Sequence, residues 1–331
     1  MAKKASVKVY DNLNEMLSWE LEENREFTPL WDMFYGENPQ QRAGILKTDG
    51  MADYEIMFNQ TLSYNEVLSL TELANILGEF YDVCAVAIVK HAAPCGVALA
   101  PTIGEAYTKA FDCDPMASFF GSIGCTKTVT ADLAKHLNSM AVKMVLAPDY
   151  EEKALDIFKA NPLIKIIKLN TPLEEFKNLL QKDIHVTPFG TLYQDSNKSR
   201  LGKNSFRVVT KTKPTKEQIE DIVFAWKVSK YARSNSIVIA KDFKTAAITQ
   251  GFITPVTAVE VALNTACDAA KDAVLASDTV LPIADCVYAA AQGRISAIIQ
   301  PGGAANEDKI IELADKYNIA MILTGIKNYK H

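Results

Sequence analysis

A series of short, almost wholly apolar runs constrains this chain most: Ala85–Val89, Ala141–Ala147, Ile164–Leu169, the Ile237–Ala240 part of Ser234–Lys241, Ser296–Ile299 and Ala320–Leu323. Each is too short for a core helix and several are rich in β-branched residues, the mark of strands buried on both faces. Helix signals fall between them. Leu62-Ser63-Tyr64-Asn65 leads into a helix with Leu68, Leu70, Leu73, Ile76 and Leu77 as its apolar positions. Thr102 and Glu105 have capping-box spacing, an amphipathic helix lies near Ala154–Phe158, and Thr215 with Gln218 caps a helix bearing Ile219, Ile222, Val223 and Trp226 at i, i+3, i+4 and i+7. A long helix is predicted over 256–273 and another over 308–317. Strands alternating with helices predict an α/β fold with a mostly parallel sheet covered on both faces.

The 331 residues, 48% apolar and 23% charged, suffice for one large or two medium domains with substantial cores. A net charge of −5 gives no basic field for nucleic acid, and no apolar run approaches membrane-spanning length. The opening Met1-Ala2-Lys3-Lys4 has no signal-peptide pattern, so the expectation is a cytoplasmic protein. Cys84, Cys95, Cys113, Cys125, Cys267 and Cys286 form no CxxC pair and read as reduced core or near-core thiols. His91, His136, His185 and His331 lack zinc-ligand spacing, so no metal site is expected from His and Cys.

The run at 85–89 delivers Lys90-His91 to its C-terminal end, where ligands bind in open α/β sheets. Pro94 and Gly96 are expected to turn the chain there. A lysine beside a histidine disfavours the imidazolium and leaves a ring able to accept a proton. A strand, Pro/Gly turn and helix recur near 85–110 and 296–317, hinting at two related halves. Residues 195–216, rich in Lys, Arg, Ser and Asn, read as a solvated connector. Other chemistries fail on their motifs: the chain has no G-x-G-x-x-G, no P-loop and no G-x-S-x-G elbow, and Pro94-Cys95 lacks the second cysteine of a zinc deaminase.

Lys90-His91-Ala92-Ala93-Pro94-Cys95-Gly96-Val97-Ala98 resembles the active-centre signature of the AICAR transformylase domain of bifunctional purine biosynthesis proteins. Further matches run in family order: Tyr35-Gly36-Glu37-Asn38-Pro39, Leu62-Ser63-Tyr64-Asn65, Cys113-Asp114-Pro115, Phe224 to Lys241, Ala276-Ser277-Asp278, Ile298 to Gly303, and Ile319 to His331. The resemblance covers about residues 30–331. It implies two cytidine-deaminase-like α/β/α units without zinc, over 27–200 and 201–331, behind an N-terminal extension at 1–26. With no IMP cyclohydrolase domain in front, a stand-alone transformylase is expected. It implies formyl transfer from N10-formyltetrahydrofolate to the 5-amino group of AICAR, by a homodimer with sites at the interface, and allows for a monovalent cation such as potassium. By position, His91 is the base, Lys90 keeps it neutral, and Asn235 holds the carboxamide and formyl oxygens. Asp285, Tyr329 and His331 fall on the folate side, and Tyr35, Asn38, Gln40, Lys143 and Lys327 on the nucleotide side.

On that nucleotide side the chain departs from the family pattern. Phe34 stands for a phosphate-binding arginine, Gln40 for a histidine, Lys143 for an acidic ribose contact, and Lys327 for another arginine, keeping charge but not the bidentate fork. The loop Thr249-Gln250-Gly251-Phe252-Ile253-Thr254-Pro255 has no arginine, and the segment Thr279 to Asp285 has lost two phenylalanines and an arginine. Three readings follow: an AICAR formyltransferase with a rebuilt phosphate site, a non-catalytic nucleotide- or folate-binding paralogue, or a formyltransferase acting on a changed amine.

Overall fold

A computed structural model describes residues 29–46, 50–176, 178–179, 182–201 and 207–331. The expected extension at 1–26, with its amphipathic segment, lies outside them. The chain divides into two compact units, Met1–Met51 and Ala52–His331.

In the first unit, β1 (Pro29–Met33) pairs antiparallel with β2 (Ala43–Leu46), and the expected loop at 34–41 joins them. In the second, β3 (Tyr54–Ile56) precedes α1 (Tyr64–Leu77), and then come β4 (Ala85–Lys90), β5 (Ala93–Leu99), α2 (Ile103–Phe111), the single turn α3 (Pro115–Ser118) and β6 (Ser122–Cys125). The chain continues through α4 (Ala131–Asn138), β7 (Met144–Ala147), α5 (Glu152–Lys159), β8 (Lys165–Leu169), the short α6 (Leu173–Phe176), and an exposed hairpin of β9 (Lys182–Thr187) and β10 (Gly190–Asp195). After β11 (Arg207–Val208) follow α7 (Lys216–Ser229), β12 (Ile237–Lys241), β13 (Lys244–Thr249), α8 (Pro255–Ala266), β14 (Val274–Ser277), α9 (Ala284–Gln292), β15 (Ala297–Gln300), α10 (Glu307–Lys316) and β16 (Ala320–Leu323).

One 12-stranded sheet runs β11-β16-β15-β14-β12-β13-β5-β4-β6-β7-β8-β3. The α/β class stands. Strands joined through a crossover helix pair parallel, in the runs β6-β7-β8 and β14-β15-β16. Strands joined by a two-residue turn must pair antiparallel, which gives the hairpins β4–β5 and β12–β13. The order reads the same outward from the β5–β13 junction in both directions. The counterpart of the strand at 85–90 is therefore β12, not the strand at 297–300 that the sequence echo suggested. Among the described residues each half has an apolar core of its own, one built from residues between Val86 and Ile166 and the other from residues between Ile237 and Leu323, while Phe80 and Phe224, rings 5.5 Å apart, join the halves outside both.

The turn after Lys90 is not made by Pro94 and Gly96. Lys90 pairs with Ala93, so His91 and Ala92 are the two turn residues, at φ 53° and 55°. A tight hairpin demands this left-handed pair because it matches strand twist; histidine tolerates it better than most residues, alanine does not. Pro94 sits in β5 next to the irregularity between Ile88 and Val89, where a missing N–H is tolerated. Gly96 lets α2 approach: a Cβ there would stand 2.0 Å from the Ala110 carbonyl oxygen. The helix expected over 256–273 stops at Ala266, where Cys267 takes φ 48° and a 3₁₀ turn follows over Cys267–Ala270. Cys267 is exposed, unlike the near-core thiol expected. The connector is not wholly solvated either, since Thr210 is buried and its Oγ1 accepts from the Met321 N–H at 2.8 Å.

Candidate functional site

Helix α1 organises the site. Ser63 and Glu66 form its capping box, and Leu73, Ala74, Ile76 and Leu77 are buried as the apolar periodicity requires. Leu68, however, is exposed, while Glu66, Ser69 and Glu72, at i, i+3 and i+6, are buried. Buried polar groups need partners, and each of these finds one far along the chain. Glu66 binds Lys165 at 2.6 Å and lies 3.8 Å from Lys143. Burial raises its carboxyl pKa, but the bonds from Lys165 and Ser63 outweigh that and leave it below the ordinary value. Ser69 Oγ accepts from the Ala92 N–H at 3.4 Å and so reaches the Lys-His turn. Glu72 Oε2 accepts from Lys330 Nζ at 2.5 Å.

Lys330 ties the segment 324–331 to the start of β12. Its N–H donates to Ser234 Oγ at 2.8 Å, and the Ser234 N–H returns a bond to the Lys330 carbonyl at 2.9 Å. Tyr329 and His331 flank it with their rings stacked 5.9 Å apart, and Lys327 Nζ lies 5.8 Å from the Tyr329 ring centroid. The next residue after Ser234 is Asn235, held at φ 58°, a conformation that asparagine tolerates better than most residues. Its Nδ2 donates to the carbonyls of Phe252 and Ile253 at 2.6 and 3.2 Å. The 250–253 loop turns back to the first hairpin, because Gln250 Nε2 donates to the Pro94 carbonyl at 3.3 Å and Gln250 Oε1 accepts from the Arg233 N–H at 3.2 Å.

A continuous chain of contacts therefore links Lys90-His91-Ala92, Ser69, Glu72, Lys330, Ser234 and Asn235, with Tyr329 and His331 beside it. Lys90 Nζ donates to the Phe119 carbonyl at 2.8 Å, so its ammonium is directed at a backbone oxygen. Below Asn235, the buried Asp278 accepts from the Ser236 N–H and Oγ at 2.8 and 3.1 Å through Oδ1, while its Oδ2 has no partner. Burial pushes this carboxyl from 3.8 up to about 6, against the Ser236 bonds. Cys95 is no nucleophile, since burial raises its thiol to about 11.

Of the remaining expected site residues, two lie in the second unit and three in the first. Lys143 joins the site only through Glu66. Asp285 is exposed in the first turn of α9. Tyr35, Asn38 and Gln40 belong to the first unit, where the Asn38 N–H and Nδ2 both donate to Gln41 Oε1 at 2.9 Å. The sequence reading missed Ser69, Glu72, Arg233 and Lys330. For Ser69 and Glu72 the available signal was polar residues at helical spacing on a face that had to be buried; Arg233 and Lys330 lie outside any helix and gave none.

A family model described as AICARFT/IMPCHase bienzyme matches residues 5–265. A bifunctional purine biosynthesis protein PurH of Thermoanaerobacter sp. (strain X514) is 40% identical over 304 residues, covering 91% of this chain and 59% of that protein. The one from Dictyostelium discoideum is 35% identical over 320 residues (92% and 59%), and the one from Chlorobaculum parvum is 35% identical over 346 residues (100% and 63%). The chain thus spans about three-fifths of the length of these relatives. With its hairpin, its Asn235 loop and this match over most of its length, the chain belongs to the AICARFT/IMPCHase bienzyme family.

Proposed function

We propose that this chain transfers a formyl group from N10-formyltetrahydrofolate to the 5-amino group of AICAR, giving FAICAR in purine biosynthesis. The observation that carries the proposal is the linked set of Lys90, His91 and Asn235 at one end of the central hairpins, in a chain of this family. His91 acts as the base on the amine. Its left-handed turn and exposed ring favour that role, since strained backbone of this kind gathers at functional sites. Lys90 supports the developing charge from its anchor on Phe119. Asn235 acts on the carboxamide and formyl oxygens. Asp285, Tyr329 and His331 serve the folate; Tyr35, Asn38, Gln40, Lys143 and Lys327 serve the nucleotide.

Asp278 fits a monovalent cation such as potassium, because a buried carboxylate oxygen without a partner is what such an ion satisfies; bound there, it would brace the backbone under Asn235. The reading extends to a cytoplasmic homodimer with sites at its interface, and to two units at 27–200 and 201–331, in keeping with the two separate cores. Among the described residues no helix is long and apolar enough to cross a membrane. A second reading, formyl transfer to a different amine, is favoured by one observation: Lys143 already faces Glu66.

The test is tetrahydrofolate formation by the pure protein with AICAR and N10-formyltetrahydrofolate. Loss of a general base lowers turnover by about 10²–10⁴-fold, which is the drop expected for His91→Ala. A folded protein without turnover, or one indifferent to His91, overturns the proposal.

A further inference from the structure

The cations around the hairpin are almost all committed. Lys90 is bonded to the Phe119 carbonyl, Lys165 and Lys143 face Glu66, and Lys330 binds both Glu72 and the Tyr231 carbonyl. Among the described residues Lys327 meets only the Tyr329 ring, and Arg233 is freer still. Its side chain is exposed and has no hydrogen bond or ion pair among the described residues. Its electrostatic counterpart is Glu72, but that carboxylate is already neutralised by Lys330. The guanidinium is therefore a free charge two residues ahead of Asn235.

Its backbone is fixed. The Arg233 N–H donates to Gln250 Oε1 at 3.2 Å, and its carbonyl accepts from the Gly251 N–H at 3.0 Å. Gln250 also bonds the Pro94 carbonyl, and Phe252 and Ile253 hold the Asn235 amide. One loop thus sets the place of Arg233, of Asn235 and of the strand leading from His91. This is the same loop that carries no arginine of its own, and Arg233 is fastened against it from the neighbouring strand entrance.

We propose that Arg233 is the anion-binding residue of this site, holding a phosphate monoester or carboxylate of the substrates in a two-pronged hydrogen bond. The proposal rests on the function proposed above. A planar guanidinium suits either anion, whereas the compact ammonium of Lys327 does not offer the fork.

Arg233→Gln and Arg233→Lys, changes at an exposed side chain, test it by calorimetric titration. The titrants are AICAR, its dephosphorylated riboside, N10-formyltetrahydrofolate with one or several glutamates, and inorganic phosphate. Losing a charge-assisted bidentate contact weakens binding by about 10–100-fold, and Arg233→Lys should fall between wild type and Arg233→Gln. Selective weakening of AICAR over the riboside identifies the phosphate as the anion; selective weakening of the folates identifies the carboxylate. Phosphate needs no formyl transfer, so its loss in Arg233→Gln upholds the site even if the reaction proves different. Equal affinities of wild type and Arg233→Gln for every titrant, or equal losses for riboside and nucleotide without any loss for folate or phosphate, overturn it.

Discussion

Asp278 makes a quantitative demand on the pH dependence of stability. It is fully buried, its Oδ1 is satisfied by Ser236, its Oδ2 is not, and its pKa rises from 3.8 to about 6. The folded state therefore holds this proton more tightly than the unfolded chain does. The resulting stabilisation is fully present below the unfolded value and is lost as pH rises through about 6. A shift of about 2 units corresponds to about 3 kcal/mol, of which about 2 kcal/mol should disappear between about pH 4.5 and 7.5. Asp278→Asn cannot ionise and can still accept from Ser236, so subtracting its curve removes every other titrating group. The measurement is urea unfolding of both proteins across that range in potassium-free buffer. The wild type should lose about 2 kcal/mol relative to Asp278→Asn as pH rises. Parallel curves would refute the assignment of a strained buried carboxylate. Potassium added at about pH 7.5 should restore stability to the wild type alone, because a cation at Oδ2 favours the ionised form.

Two further substitutions probe the Lys-His hairpin. Ala92→Gly removes the cost of a left-handed φ and should raise stability by about 1 kcal/mol in thermal unfolding while lowering turnover, since His91 is then held less firmly; unchanged stability would mean that the turn is unstrained. Gly96→Ala drives a methyl into the Ala110 carbonyl and should cost roughly 3 kcal/mol, read as a lowered urea midpoint, because neither that carbonyl nor the neighbouring Cys113 Cβ can swing away.

What was legible in the sequence was local. The Thr215–Gln218 capping box and the spacing of Ile222 and Trp226 define α7 by themselves, and the apolar run at 85–89 could be little other than a strand. The Lys-His pair was legible as chemistry by family likeness. Its geometry was not: a left-handed turn through His and Ala has none of the Asn or Gly that usually announces one, and its register is set by a partner strand. The burial of Glu66 and Glu72 was not legible, because the cations that permit it lie 99 and 258 residues away. Leu68, apolar at a helical position, took the surface instead.

The duplicated architecture gives its two hairpin turns unequal clasps. Ser63 and Thr215 cap α1 and α7, each in a capping box, and six residues further along each helix stand Ser69 and Asp221. Both reach the two-residue turn of their own hairpin. Asp221 accepts from the N–H groups of Asp242 and Phe243 at 2.9 and 2.8 Å, a charged double clasp on a turn that is likewise left-handed, at φ 54° and 55°. Ser69 offers the Ala92 N–H a single neutral bond at 3.4 Å. Charge-assisted bonds contribute about 1.5–3 kcal/mol each against roughly 1 for a neutral one, but burial raises the Asp221 carboxyl above its ordinary value, so desolvation offsets part of the gain and the second turn is clasped more firmly by less than its two bonds alone suggest. A locked turn suits a structural corner. The weakly clasped turn is the one that carries His91, the residue proposed as the base.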